Sequence, residues 1–350
     1  MRGRFLGVMA AGLLPLAAGA VTMETVAVGN LGNAPDPLNT NSVPGIGSVS
    51  YGYSIGKYEV FNSQYVEFLN AVADTDTYGL YNTSMASDAR GGINRSGSSG
   101  SYTYSVKSGY ENMPVVYVSF YDAVRFANWL ENGQPTGAQG AGTTEAGSYT
   151  LFTSGSSTTN VSARASDALW VIPTENEWYK AAYHQPSGSG GPSDNYWLYP
   201  TQSDAIPNSR PPNGTDANSA NFYRDVAPAN GINDGFAKML STSYYSGTNY
   251  LTAVGSYSVA DSYYGTVDQG GNVWEWDETI ISGSDRGLRG GGWSGSENNL
   301  QSSSRDNDSP SDESNGLGFR VAAIPEPACV GAVLIAAVGL CVWKRRKRSL

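Results

Sequence analysis

Residues 265–293 read GTVDQGGNVWEWDETIISGSDRGLRGGGW. The run holds two glycine clusters and three of the eight tryptophans, Trp274, Trp276 and Trp293. Gly270-Gly271 is unsuited to a helix interior, and its backbone can take the positive φ that other residues avoid, so a tight turn is expected. Val273, Trp274 and Trp276 just beyond it predict a short aromatic strand. Arg289-Gly290-Gly291-Gly292-Trp293 repeats the pattern: glycines let backbone approach closely, and a tryptophan then buries a large apolar face.

Working outward, three helices are expected. Tyr65, Phe68, Leu69 and Val72 fall at i, i+3, i+4 and i+7, with Asn62 or Ser63 as the cap. Ala123, Phe126, Ala127 and Leu130 give a second stripe. Ser119 and Asp122 stand at capping-box spacing before it, and Gly133 stops it. Thr174-Glu175-Asn176-Glu177 is a full capping box ahead of Trp178, Ala181 and Ala182. Glu177 therefore has a complete structural reading as a helix cap. Strands are expected within Tyr51–Val60, over Val115–Val118, which reads as buried, and over Tyr149–Phe152. Ser84–Ser108 reads as a surface excursion, and Gln185–Ala217 as a long Pro/Gly/Ser/Asn loop. The polar run after Trp293 reads as irregular backbone held by its own side chains.

Charged residues make up only 15% of the chain, while glycine (43) and tyrosine (23) are abundant. That balance suits a loop-rich extracellular domain better than a helical cytosolic one. The net charge is −10. Seven of the 21 Lys and Arg (Arg2, Arg4 and Lys344–Arg348) lie at the two ends, which leaves 14 against 31 Asp and Glu. Such a surface repels phosphate backbones, so nucleic acid is not an expected partner. Both cysteines, Cys329 and Cys341, sit in the C-terminal apolar run, so the domain has no disulfide and no Cys-based metal site. His184 is the only histidine, expected as a solvated residue at a helix end; no motif places it in a Ser-His-Asp triad.

Residues 1–20 carry the marks of a signal peptide: Arg2 and Arg4, the apolar stretch Phe5–Ala17, then Ala18-Gly19-Ala20. At the other end Pro325-Glu326-Pro327 precedes an apolar run from Ala328 to Trp343 and the basic cluster Lys344–Arg348. Sixteen apolar residues are short of the roughly 20 that span a bilayer, and the basic cluster orients the C-terminus toward the cytoplasm.

GNVWEW, LRGGGW and, further on, GLGFRVA (Gly316–Ala322) resemble the sulfatase-modifying factor family, whose best-known members are formylglycine-generating enzymes. YSIGKYEVFNSQYVEFLN from Tyr53, MPVVYVSFYDAVRFANWL from Met113 and WVIPTENEWYKAA from Trp170 fit in the family's order, so the likeness runs from about Val26 to Ala322. It implies one compact, loop-rich α+β domain of C-type-lectin-like fold over 21–323. The tail at 324–350 resembles a PEP-CTERM sorting signal, which implies signal peptidase and an exosortase as processing partners. The domain would then be anchored in the inner membrane before processing and afterwards lie at the cell surface or outside. A permanent anchor is the other reading of that tail.

The resemblance also implies Ca²⁺. One set carried over by position is Asp268 and Glu275 through side chains with the Gly271 and Val273 carbonyls. A second is Asn221 and Asp234 with the Phe222 and Phe236 carbonyls. In the other reading, Asp268 and Glu275 pin the turn through hydrogen bonds alone. The sequence departs from the family at the oxidase centre. Near where formylglycine-generating enzymes place two copper-binding cysteines, this chain has Gly295 and Leu300, and Gly292 replaces the family's serine. A thiolate is the ligand and the redox partner there, so no copper and no catalytic residue are expected. The expectation is a non-catalytic, calcium-stabilised module that binds an exopolysaccharide or envelope ligand. Its face would be Ser294–Asn315 with Tyr244, Tyr245, Tyr263, Tyr264 and Trp197. The alternative is an oxidase acting on a sulfatase cysteine.

Overall fold

The computed structural model describes residues 20–39 and 45–325. Two four-stranded sheets organise them. In the first, the strands run in the order Thr25–Val28, Tyr53–Gly56, Ala322–Ala323 and Trp170–Val171, each antiparallel to its neighbour. Both ends of the domain thus meet in one sheet, and Gly56 N donates to the Val321 carbonyl at 2.7 Å. In the second, the order is Asp306–Asp308, Asp285–Arg289, Trp274–Ser282 and Leu317–Gly318, the last pair parallel. The strand at Trp274–Ser282 is nine residues long, longer than the short strand expected. Helix and strand share one domain with much irregular backbone between them.

The helices Asn62–Val72 and Phe120–Glu131 meet through aromatic side chains. Phe68 lies 5.4 Å from Phe126 and 5.3 Å from Trp129, and Phe126 reaches Phe319 at 5.5 Å. The apolar spacing fixes this face: Tyr65, Phe68, Leu69 and Val72 are all buried. Ser119 caps its helix as expected, its hydroxyl accepting from Asp122 N at 3.1 Å while Asp122 accepts from Ser119 N at 2.9 Å. Thr174 and Glu177 do the same for the helix Glu175–Tyr183.

Several expectations are corrected. The first helix has neither Asn62 nor Ser63 as cap; Phe61 holds the N-cap position, and the Gln64 side chain accepts from its backbone N–H at 3.2 Å. Ser84–Ser108 is not a bare excursion. It holds the short helix Ser84–Ser87 and a hairpin, Ile93–Ser96 with Thr103–Val106, whose few buried residues gave too weak an alternation to read. Val115–Val118 is buried but unladdered, because Tyr117 sits at φ +63° and breaks the extended run. Leu151–Ser154 pairs with Ser157–Val161 in a hairpin that the Ser/Thr-rich sequence concealed.

Among the described residues no helix is long and apolar enough to cross a membrane. The apolar run Ala328–Trp343, the basic cluster and all but the last residue of the expected leader lie outside the described residues.

Candidate functional site

The DQGGN turn is left-handed over most of its length, with Asp268, Gly271 and Asn272 at φ +61°, +85° and +63°. A Cβ on Gly271 would meet the Asn221 carbonyl at 2.3 Å, so only glycine fits there. Asx residues tolerate this region better than other side chains, which is why Asp and Asn flank it. The turn feeds Glu275 into the fully buried interior. Arg320 grips that carboxylate with two bonds of 2.6 Å, from Nε and Nη2, and Trp178 Nε1 donates to it at 2.7 Å. The remaining Arg320 donors reach the carbonyls of Gly56 at 2.9 Å, Lys57 at 3.2 Å and Val267 at 3.1 Å. All five guanidinium N–H groups are therefore used.

Two more carboxylates share this pocket of charge. Asp268 accepts from Gly255 N at 2.6 Å. Glu59 accepts from Asn272 Nδ2 at 3.0 Å through one oxygen, and its other oxygen is buried without a partner. Burial, and then the charge of Asp268, push the Glu59 pKa well above its ordinary value. Burial pushes Asp268 up to about 6. Three carboxylates share one guanidinium in a low-dielectric interior, an arrangement that disfavours their all being charged at once. Glu59 escaped the sequence reading; its only signal is a carboxylate between Tyr58 and Val60 in a segment otherwise patterned for burial.

The oxygen-only chemistry and the charge excess at Asp268 and Glu275 fit a hard divalent cation. The Glu275 oxygens already hold three protein donors, so that residue contributes mainly charge. Among the described residues no three His, Cys, Asp or Glu side chains gather as a metal cage. A cation there would depend on Asp268 and the Gly271 and Val273 carbonyls. In the second set Asp234 and both carbonyls already accept protein hydrogen bonds. Asn221 donates its amide nitrogen to the Tyr250 carbonyl and to Asn272 Oδ1, so its own Oδ1 is the atom a cation would take. Asp234 accepts from Asn230 and Gly231 N–H groups in its own turn. The Phe222 carbonyl accepts from Ser209 and Ala237, and that of Phe236 from Met239 and Leu240. Asp234 stands opposite Asp225, four residues past Asn221, which separates the two side chains by on the order of 10 Å.

A parallel arrangement lies beside the first. Arg289, fully buried, binds Glu175, which also takes Arg305 at 2.8 Å. Glu177, besides capping its helix, accepts from Arg164 at 2.9 Å and from Tyr51 at 2.6 Å, which completes its structural reading.

Downstream, the backbone turns sharply at Gly290 (φ +97°), where a Cβ would meet the Gln269 carbonyl at 2.6 Å. Gly295 has no side chain, and a Cβ there would approach Asn299 Oδ1 at 2.9 Å. Leu300 is fully buried against Tyr199, Ala220 and Phe222. Neither position offers a donor to a metal. Trp293 stacks on Tyr250 (4.9 Å, 9°), and half-exposed Tyr244 continues the stack (6.3 Å, 15°). The Arg90 guanidinium lies 5.5 Å from the Trp293 ring and 5.9 Å from that of Tyr244, and Tyr245 is exposed next to it. Arg90 was not legible beforehand, since it comes from a loop some 200 residues earlier.

The other aromatics expected on this face belong elsewhere. Tyr264 donates to or accepts from His184 Nδ1 at 2.8 Å, with Tyr263 packed on Tyr264 at 5.0 Å. His184 is buried rather than solvated, wedged between Tyr196 and Tyr264, and burial lowers its pKa to about 4. Trp197 lines a separate cavity with Asp36, Asp194 and Asp204.

Residues 9–324 match the family model of the sulfatase-modifying factor enzyme 1-like domain. No curated protein matches the chain. Among solved structures, Treponema denticola variable protein 1 is similar at 19% identity and TM-score 0.47, over 89% of this chain and 98% of that one. CarF is similar at 19% and 0.47, over 87% and 99%. PvdO from Pseudomonas aeruginosa is similar at 18% and 0.41, over 87% and 92%.

Proposed function

This chain belongs to the sulfatase-modifying factor enzyme 1-like family, and from that premise we propose that it is an exported, non-catalytic binding module built on a C-type-lectin-like frame. The observation that carries this reading is the pair Gly295 and Leu300. One has no side chain, and the other is buried in an apolar cluster where the family's oxidases need thiols. A copper-dependent oxidation of a sulfatase cysteine has no ligand and no redox partner there.

What remains exposed beside those positions is Tyr244 and Tyr245, with Tyr244 lying on the buried Trp293 and Arg90. Aromatic faces stack on the apolar face of a sugar, and the amides and hydroxyls of 294–315 suit its OH groups. We take an extracellular polysaccharide or envelope glycan as the ligand. Ca²⁺ at Asp268 and the Gly271 and Val273 carbonyls would balance the carboxylates of Asp268 and Glu275, which share the single Arg320, and brace the turn; it would take no part in a reaction. The leader at 1–20 and the sorting signal at 324–350 would place the domain outside the cytoplasm after processing by signal peptidase and an exosortase.

The test pairs two assays on the full chain. Incubation with copper and a CxPxR peptide is expected to give no oxygen uptake and no loss of peptide thiol. Binding to the producer's exopolysaccharide is expected, and Tyr244→Ala should weaken it about tenfold, the loss of roughly one stacking contact. Oxygen uptake would restore the oxidase reading, and absence of binding across glycans and envelope proteins would remove the binding one.

A further inference from the structure

Five arginines among the described residues are buried: Arg90, Arg125, Arg286, Arg289 and Arg320. Four of them hold a carboxylate, namely Asp88, Glu145, Glu175 and Glu275. Three of those grip it with the same edge of the guanidinium, Nε and Nη2 together. Arg286 is the exception. It makes no ion pair, its one hydrogen bond runs from Nη1 to the Glu278 carbonyl, and its Nε is buried without an acceptor. Asp308 stands opposite it on the neighbouring strand, yet the two side chains do not pair.

Arg286 lines a cavity of about 280 Å³ between the strand pair of the second sheet and the 151–161 hairpin. Its guanidinium lies 4.6 Å from the ring of Phe120, which lines the same space. Val161 and half-exposed Ile280 supply apolar wall, and Arg164 and Glu278 the other charges. Glu278 is neutralised where it stands, by Arg164 at 2.9 Å and the Tyr149 hydroxyl at 2.7 Å. The charges lining the cavity are two guanidiniums and one carboxylate. Arg164 is itself spent on Glu278 and Glu177, so Arg286 is the one lining charge without an ion-pair partner. Burial lowers the Arg286 pKa, and a guanidinium stays protonated in proteins.

We propose that this cavity binds a small apolar monocarboxylate, which would accept from the Nε–Nη2 edge of Arg286 while its body packs on Phe120, Val161 and Ile280. The chemistry follows from geometry: a planar fork with two parallel donors matches a carboxylate bidentately, and an apolar wall next to it favours a non-sugar body. At about 30 Å³ per water-sized volume, the cavity has room for roughly nine or ten non-hydrogen atoms. The proposal is independent of the glycan reading, which concerns the Trp293 face.

The probe is benzoate, with benzyl alcohol as the neutral match, titrated into the full chain by calorimetry and thermal shift. Benzoate should bind at least tenfold more tightly than benzyl alcohol and raise the Tm. Arg286→Lys, which keeps the charge but not the fork, should weaken benzoate by about tenfold. Ile280→Glu is the second variant, because Ile280 is exposed and pairs directly across from Arg286. It supplies the chain's own carboxylate to the guanidinium, so the fold should be kept or stabilised while benzoate binding is lost. Equal affinity for benzoate and benzyl alcohol, or an Ile280→Glu protein that binds benzoate like the parent, would overturn the proposal.

Discussion

Arg289 and Trp293 are four residues apart, yet they serve two different kinds of interior. On the Arg289 side lies an ionic frame: Glu175 with two arginines, and Glu275 with Arg320, Trp178 and three backbone carbonyls around the guanidinium. On the Trp293 side packing dominates: Leu300 lies in an apolar cluster, and Trp293 and Tyr250 stack beneath Tyr244, the member of the stack that reaches solvent. The frame is over-determined, since each group has several partners and removing one strands the others. The face is under-determined, since its groups lean on one another through non-directional contact. A scaffold arranged this way can change its face without losing its fold.

The comparison breaks most visibly at Arg320. Arg320→Met should leave Glu275 buried and uncompensated and cost about 3–5 kcal/mol in urea unfolding; a cost near zero would mean that the frame does not hold the fold. Leu300→Ala tests the other side. It should cost about 2–4 kcal/mol through the cavity it opens, with no dependence on salt or pH.

The frame should also respond to pH in a way the face does not. The Asp268 carboxyl is raised from 3.8 to about 6 by burial, so between those values the folded state holds more protons than the unfolded one. Stability is therefore lost as pH rises through roughly 4 to 6, by about 3 kcal/mol for this group. Asp268→Asn should flatten that slope. Added Ca²⁺ should do likewise in the parent by replacing the protons, and a slope that ignores both additions would count against the cation. The smallest effect is expected at Tyr244: Tyr244→Ala should shift stability by no more than about 0.5 kcal/mol, as exposed positions do, while still weakening the glycan.

Much of the local structure was legible. The capping boxes at Ser119 and Thr174, the buried stripes of two helices and the glycine turn at 270–271 all depend on residues within a few positions of one another. The hairpins at 93–106 and 151–161 were hidden because their few buried residues alternate with Ser, Thr and Asn that look like loop. Of the site, Asp268 and Glu275 were named, but their surroundings were not. Glu59 and Arg320 meet them from opposite ends of the chain, and Arg90 reaches Trp293 in the same way.

The sequence by itself determined the family, the order of its motifs, the three long helices and the absence of cysteine from residues 21–323, because each of these is a matter of residue identity or short-range spacing. Only the tertiary structure decided that Glu275 is held by an arginine, that His184 is buried and that Arg286 alone among the buried arginines described has no carboxylate. These are pairings between segments tens to hundreds of residues apart, and burial decides their energy, which no single stretch of sequence encodes.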